Sequence, residues 1–312
     1  MKKQIGIVGL GLNNPYFYAL LLEEQGAEVA YVWDYTVENA QDYADRFGCK
    51  VVENIEDYPD VDGVLIDSRN SDHVPLAQIF SRRNIPFFIE KPMSHSEREA
   101  LEFLKEKHNT PFFSASPLRF APTYIQMKND LLESGENPVR CDITVYHTMK
   151  YFLENPVKQW HDDPMKSGGM MTDLGIHAVE LMNMFMPYPI KKVVACSTKS
   201  HYPEACCDDN YAVTILYQNG AIGTITLVCA TNRTDYAAAV ITPHHAFINN
   251  MDSEYTGCVQ WNVDNAYGGF KGTIGAFLNM IDTGVAPIST LETQRNFELI
   301  AQINEALKVI GE

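Results

Sequence analysis

Positively charged residues are scarce in this chain, which has 24 Lys and Arg against 40 Asp and Glu and a formal net charge of −16 over 312 residues. A surface this acidic repels the phosphate backbone of nucleic acid and the anionic leaflet of a membrane, so we expect neither as a partner. Long apolar runs are also missing, because no stretch approaches the roughly 20 residues that a membrane-spanning helix needs. The 46% of apolar residues is that of an ordinary globular chain.

Paired cysteine motifs are lacking as well. The seven cysteines are odd in number and scattered, which is typical of thiols in a reducing compartment and not of a disulfide framework. The pairs Cys206-Cys207 and His244-His245 have no C-x-x-C spacing, and neighbours on a strand point to opposite faces, so we expect no metal site. The first residues lack the cleavage site of a secretory signal, and we expect a soluble cytoplasmic protein.

Short apolar runs alternate with amphipathic stretches over the first third of the chain. We predict strands at 5–8, 28–33, 63–66, 87–89 and 111–114. Strands that are apolar throughout and are joined by helices indicate a parallel sheet with both faces covered. The sequence therefore predicts an α/β fold that begins with a doubly wound domain over residues 1–117.

The pattern changes after about residue 117, where strand-like segments dominate at 140–147, 193–198, 211–217, 221–229, 237–241 and 255–261. Gln218-Asn219-Gly220 is a hairpin signal, so we predict an α+β domain over residues 118–312 with a large open, mostly antiparallel sheet. Its few helices cannot cover every apolar strand. An apolar open face favours association of identical copies, as a homodimer or homotetramer.

A glycine-rich turn joins the first predicted strand to the first predicted helix. Gly9 and Gly11 allow a close backbone approach, and a helix N-terminus favours anions, so this turn with Leu12 and Asn13 is a candidate site for a dinucleotide pyrophosphate. Asp34 ends the second strand, where a carboxylate binds ribose hydroxyls and repels a 2′-phosphate. The pattern predicts NAD in preference to NADP. The alternatives are a structural glycine turn and a carboxylate that caps a turn or helix.

Two further motifs carry groups that can hold or move a proton. Lys91, in Glu90-Lys91-Pro92, follows the fourth strand at the sheet edge where ligands bind; a surface lysine at a loop start is the alternative. Asp173 and His177 lie four residues apart, so on a helix they share one face. A histidine beside a carboxylate can exchange a proton near neutral pH, but a helix-stabilising pair explains the spacing equally.

Together these motifs resemble the glucose–fructose oxidoreductase and inositol dehydrogenase family (Gfo/Idh/MocA). The resemblance covers essentially the whole chain and rests on the Gly9 and Gly11 turn, on Asp34 and on segments 90–92, 118–122, 160–164, 167–169 and 173–177. It implies an N-terminal Rossmann domain, a C-terminal open-sheet domain and an active site between them. The implied activity is an NAD-dependent dehydrogenase of CH–OH groups, with a secondary alcohol or ketone of a sugar, inositol or related polyol as substrate.

The resemblance also implies residue roles. His177 would take the hydroxyl proton as general base, Lys91 would hold the substrate oxygen, and Asp173 would orient the substrate or His177. The remaining implied residues are Asn70, His73 and Glu90 beside the cofactor, and Lys150, Tyr151 and Trp160, with Lys91 and His177, beside the substrate. For Asn70 and His73 a surface helix cap is the alternative, and for Lys150, Tyr151 and Trp160 it is packing in the core or rim.

The chain departs from the family pattern at five positions: Asn13, Asn14, His161, Ser167 and Glu180. The departures leave the substrate open. Two rival functions therefore stand beside the dehydrogenase: a glycoside hydrolase of the same family that retains its NAD, and a non-catalytic sensor of NAD or a sugar.

Overall fold

The structure is a computed structural model and describes residues 2–249 and 263–310. The chain divides into two units, the first made of Met1–Ala115 and Phe270–Thr293 and the second of Ser116–Gly269 and Gln294–Glu312. The predicted domains, 1–117 and 118–312, stay a prediction beside this division. The strand predicted at 255–261 lies outside the described residues.

The first 115 residues alternate strands and helices: β1 Lys3–Val8, α1 Asn14–Glu24, β2 Ala27–Trp33, α2 Val37–Phe47, β3 Lys50–Val51, β4 Gly63–Ile66, α3 His73–Arg82, β5 Phe87–Ile89, α4 Glu97–Lys105 and β6 Phe112–Ser114. The six strands form one sheet in the order β3-β2-β1-β4-β5-β6, and every pairing is parallel. Every residue of β4, β5 and β6 is buried. The predicted doubly wound sheet is confirmed.

From Ser116 onward the elements are α5 Pro122–Ser134, β7 Arg140–Thr148, α6 Lys150–Glu154, α7 Pro164–Ser167, α8 Met170–Asp173, α9 Ile176–Phe185, β8 Ile190–Thr198, β9 Asn210–Tyr217, β10 Ile222–Val228, β11 Ala230–Ile241, β12 Ala246–Asn249, α10 Val263–Thr283 and α11 Thr290–Ile310. The second sheet has the order β12-β11-β7-β10-β9-β8. Among the strand pairings of the described residues in this sheet, only β7–β10 is parallel, so the predicted mostly antiparallel sheet is confirmed.

The segment that carries Asp173 and His177 is not one continuous helix. Helix α8 ends at Asp173, and α9 begins only at Ile176. At the interruption the N–H groups of Leu174 and Gly175 both donate to the carbonyl of Met170, at 2.9 and 3.0 Å, and the Gly175 bond, which spans five residues, departs from the α-helical pattern. Asp173 and His177 therefore do not lie on one helix face, and the prediction of a shared face is wrong.

The hairpin between β9 and β10 closes where predicted, with the Gly220 N–H donating to the Tyr217 carbonyl at 3.1 Å. Within the described ranges, no helix combines the length and apolar composition required to cross a bilayer.

Candidate active site

The glycine-rich turn follows β1, at the point where the order of the first sheet reverses between β1 and β4. In open parallel sheets this switch point is where ligands bind. The φ angle of Gly9 is +90°, and a Cβ atom added at Gly9 or Gly11 would lie within 2.8 Å of Ser68. Glycine is required at both positions, because the turn packs directly against the chain that leaves β4.

Asp34 lies at the end of β2, beside this turn. Its carboxylate accepts the Leu10 N–H at 2.8 Å through Oδ2 and the Thr36 N–H at 2.9 Å through Oδ1. The side chain is half-buried, and a carboxylate has more lone pairs than these two bonds use. Asp34 stabilises the turn and also offers acceptors to a ribose, so the fit to a dinucleotide holds at this position.

Asp67 is a residue that the sequence reasoning missed. It directly follows β4, its carbonyl accepts the Gly11 N–H at 2.8 Å, and its carboxylate accepts the Leu12 N–H at 3.1 Å. The residue is 1% exposed. The signal that could have found it is the one that found Asp34, a carboxylate directly after a buried parallel strand.

Asn70 and His73 lie between β4 and the start of α3, and both are buried. The two ring nitrogens of His73 contact the carbonyls of Pro92, at 2.8 Å, and Ser68, at 3.2 Å. Burial lowers the pKa of His73 to about 4, so the ring is neutral at physiological pH. The surface helix cap considered for these two residues is therefore wrong, and their place beside the cofactor stays a prediction.

Glu90 and Lys91 follow β5, and both side chains are buried. A surface position for Lys91 is therefore wrong. The Tyr18 hydroxyl donates to the Glu90 carboxylate, and the Asn14 side chain also hydrogen-bonds Glu90. Burial raises the pKa of Glu90, while the nearby Lys91 ammonium opposes the shift. The pair consequently sets a cation and an easily protonated carboxyl group at the end of one strand.

In the second unit, His177 is held by Ser116. The Ser116 hydroxyl lies 2.6 Å from His177 Nδ1 and accepts the Leu118 N–H at 3.2 Å, while the Ser116 N–H donates to Glu180 at 2.8 Å. Ser116 and His177 are 0% and 6% exposed. Sequence reasoning missed Ser116 and noted Glu180 only as a departure, because no local motif connects residues more than 60 positions apart.

Asp173 is paired with His161. Asp173 Oδ2 lies 2.6 Å from His161 Nδ1, and each side chain is 1% exposed. The His161 ring stacks between Trp160 and Phe152, with centroid distances of 3.7 and 4.0 Å. This sandwich orients the imidazole, which in turn orients the Asp173 carboxylate.

The predicted substrate residues differ in their surroundings. Trp160 is buried against His161, whereas Tyr151 is 42% exposed and Lys150 forms a surface ion pair with Glu154 at 3.7 Å. Their contact with a substrate stays a prediction. Among the described side chains, no group of three His, Cys, Asp or Glu residues is placed to hold a metal ion.

Two family models match the chain. A model described as an oxidoreductase family with an NAD-binding Rossmann fold matches residues 3–113, and one described as the C-terminal alpha/beta domain of the same oxidoreductase family matches residues 132–240. The two matches fall on the two sheets, and together they cover more than two thirds of the chain.

Individual relatives are distant. The chain is 24% identical over 220 residues to the glucose-6-phosphate 3-dehydrogenase of Bacillus subtilis, an alignment covering 67% of this chain but only 63% of that protein. It is 23% identical over 232 residues to the myo-inositol 2-dehydrogenase of Thermotoga maritima, covering 71% of this chain and 67% of that one. The crystal structure of GenD2 from gentamicin A biosynthesis, in complex with NAD, has a TM-score of 0.84 at 16% identity and covers 99% of this chain and 95% of GenD2. This likeness establishes the fold.

Proposed function

This chain belongs to the Gfo/Idh/MocA family of oxidoreductases, and from that premise we propose that it is an NAD-dependent dehydrogenase of a secondary alcohol or ketone in a sugar, inositol or related polyol. The matched models confirm the predicted family. The named relatives are dehydrogenases, which confirms the expected class of enzyme at the level of the family. The substrate class proposed here rests on the substrates that those relatives' names give.

The observation that carries the proposal is the setting of His177. The short contact with Ser116 occupies Nδ1, at 2.6 Å, which supports a proton exchange with the substrate at Nε2. A histidine that is nearly buried and held at one nitrogen is suited to act as a general base or acid. We assign this role to His177, because a protein that only senses a ligand has no need for such a group.

Lys91 and Asp173 are given supporting roles. The Lys91 ammonium would hold the substrate oxygen and stabilise the negative charge that develops on it. The Asp173 carboxylate, oriented by His161 at 2.6 Å, would accept a hydrogen bond from the substrate. Lys150, Tyr151 and Trp160 are assigned to the rest of the sugar.

The cofactor would lie along the carboxyl ends of the first sheet. Gly9, Gly11, Leu12 and Asn13 would approach the pyrophosphate, Asp34 the ribose of the adenosine half, and Asn70, His73 and Glu90 the remainder. The half-buried Asp34 carboxylate favours NAD, because a 2′-phosphate placed on it would be repelled. When bound, NAD supplies the acceptor for the hydride that leaves the substrate carbon.

The test is NADH formation by the purified protein across a panel of sugars, inositols and sugar acids, with NAD and with NADP. We expect a signal on one substrate class, faster with NAD, and a fall of about a hundredfold or more in turnover for Lys91→Ala because one stabiliser of the developing oxyanion is lost. Lys107→Ala, an exposed lysine of the same unit, is the matched control and should leave turnover unchanged.

The outcomes separate the rival functions. Equal turnover in the Lys91→Ala variant would remove Lys91 from the mechanism, and equal rates with NADP would defeat the role of Asp34. If no compound of the panel gives NADH although NAD still binds, the result would favour the NAD-retaining hydrolase or the sensor. Glycoside cleavage is then the assay for the hydrolase. A cytoplasmic location stays a prediction.

A further inference from the structure

The N–H groups of residues 9–12 in the glycine-rich turn already have protein acceptors. Going along the chain, the donors and acceptors are Gly9 to the Trp33 carbonyl at 2.7 Å, Leu10 to the Asp34 carboxylate at 2.8 Å, Gly11 to the Asp67 carbonyl at 2.8 Å and Leu12 to the Asp67 carboxylate at 3.1 Å. In α1, Pro15 has no N–H and the Tyr16 N–H donates to the Asn13 carbonyl at 3.2 Å. A phosphate group arriving at this turn therefore meets fewer available donors than a helix N-terminus normally presents.

Two of these acceptors, Asp34 and Asp67, are carboxylates that bring a negative charge, and of the two only Asp67 is fully buried. A carboxylate and a phosphate oxygen compete for the same N–H donor, and two like charges a few ångströms apart repel each other strongly in a site that water reaches poorly. Asp67 is 1% exposed, so solvent screens its charge little. The Asp67 charge also acts on a neighbouring side chain. Burial raises the pKa of Tyr18, and the carboxylates of Glu90 and Asp67 raise it further.

We infer that Asp67 is an affinity-setting residue that competes with the pyrophosphate of NAD for the Leu12 N–H, so that the cofactor binds weakly and exchanges at each turnover. This inference rests on the proposed function and deepens it. A dehydrogenase must release NADH in every cycle, whereas a hydrolase that retains NAD gains nothing from a repulsive group at the phosphate turn. Asp67 therefore favours the dehydrogenase over the hydrolase.

The test compares Asp67→Asn and Asp67→Ala with the unmodified protein by titration calorimetry. Asn keeps an oxygen for the Leu12 N–H and removes only the charge, whereas Ala removes both. We expect NAD and ADP-ribose, which both contain the pyrophosphate, to bind at least about tenfold tighter to both variants, and we expect slower NAD release in stopped-flow displacement. Adenosine, which has no phosphate, should bind all the proteins equally.

The matched control is Asp60→Asn, which makes the same change of charge in the same unit. Asp60 pairs with Arg83 at 2.7 Å, and its side chain is 95% exposed. We expect this variant to bind NAD with unchanged affinity. If Asp67→Ala fails to fold, Asp67→Asn carries the test alone, since the hydrogen bond to Leu12 is kept.

Each outcome decides the question. Equal or weaker NAD binding by the folded Asp67 variants would overturn the inference and leave the proposed NAD-dependent function standing. An equal gain for adenosine would also overturn it, because Asp67 would then act on the turn as a whole and not on the phosphates. If neither NAD nor ADP-ribose binds any of the proteins, the proposed function falls and the inference falls with it.

Discussion

At the residue scale, the position of the proton on His177 depends on Ser116. Because the Ser116 hydroxyl already accepts the Leu118 N–H, it can either donate its own proton to His177 Nδ1 or accept the Nδ1 proton. It can therefore serve both the neutral and the protonated imidazole. Removing it leaves a nearly buried nitrogen without this partner, which costs about 1–3 kcal/mol. Ser116→Ala should lower kcat by about tenfold to a hundredfold, with the Kd for NAD unchanged.

Two variants make this prediction specific. Ser116→Thr keeps the hydroxyl and should retain most of the activity. Ser134→Ala removes a hydroxyl with local partners, since it donates to the Leu131 carbonyl at 2.7 Å and accepts the Glu136 N–H at 3.2 Å. Nitrogen NMR of the His177 ring should report a changed tautomer only in Ser116→Ala. Full kcat in that variant, together with an unchanged tautomer, would contradict the role given to Ser116.

The candidate residues themselves were largely accessible from the sequence, but their partners were not. Lys91, Asp173 and His177 follow from short motifs. Asp173 was expected to orient the substrate or His177, and the structure pairs its carboxylate with His161, a partner that the motif does not indicate. The partner could not be predicted because the chain turns at residues 174–175, between two helices. The hydrogen bonds of this turn, to the Met170 carbonyl, leave no periodic pattern in the sequence.

At the scale of elements, sequence patterns predicted most strands of the parallel first sheet and fewer details of the second sheet. Buried parallel strands such as β4 and β5 are apolar throughout, so their bounds could be predicted to the residue. The two-residue strand β3 and the short edge strand β12 were missed, because a few residues of pairing carry no periodicity. Short edge strands depend on the neighbour they join, which only the folded sheet reveals.

His73 connects two elements, and its titration should weaken the fold at acidic pH. The ring joins the start of α3 to the Pro92 carbonyl beyond β5, and burial lowers its pKa to about 4, with the Asp72 carboxylate opposing and the Lys91 ammonium assisting the shift. The unfolded chain, with a histidine pKa near ~6.5, binds the proton first. The contribution of His73 to the free energy of unfolding is therefore fully present above about pH 6.5. It decreases by about 3 kcal/mol as the pH drops toward about 4.

Urea unfolding between pH 4.5 and 7 measures this dependence. His73→Gln should remove most of the loss in that window, whereas His201→Gln, at an exposed position, should leave it intact. If the free energy of unfolding of the His73→Gln variant depends on pH as steeply as that of the unmodified protein, other groups cause the acid sensitivity.

At the scale of the whole molecule, the outer face of the second sheet favours pairing with another copy. One row crosses all six strands and contains Val194, Thr214, Thr224, Asp142, Ala239 and Ile248. Val194 and Ile248 are 48% and 54% exposed, and Ile222 in the next row is 36% exposed. With a net charge of −16, two copies repel each other at most surfaces, so a contact is most favourable where uncharged side chains prevail.

We therefore expect a homodimer or homotetramer that a charge on this face dissociates. Thr226→Arg places a long, charged side chain on the central strand β10, and burying it between two sheets would cost several kcal/mol in lost hydration. Light scattering should report a mass of two or four chains for the unmodified protein and of one chain for Thr226→Arg. Leu132→Arg, at a 67% exposed position of α5, is the control and should keep the assembly. A single-chain mass for the unmodified protein, or an intact assembly in Thr226→Arg, would show that this face pairs with nothing.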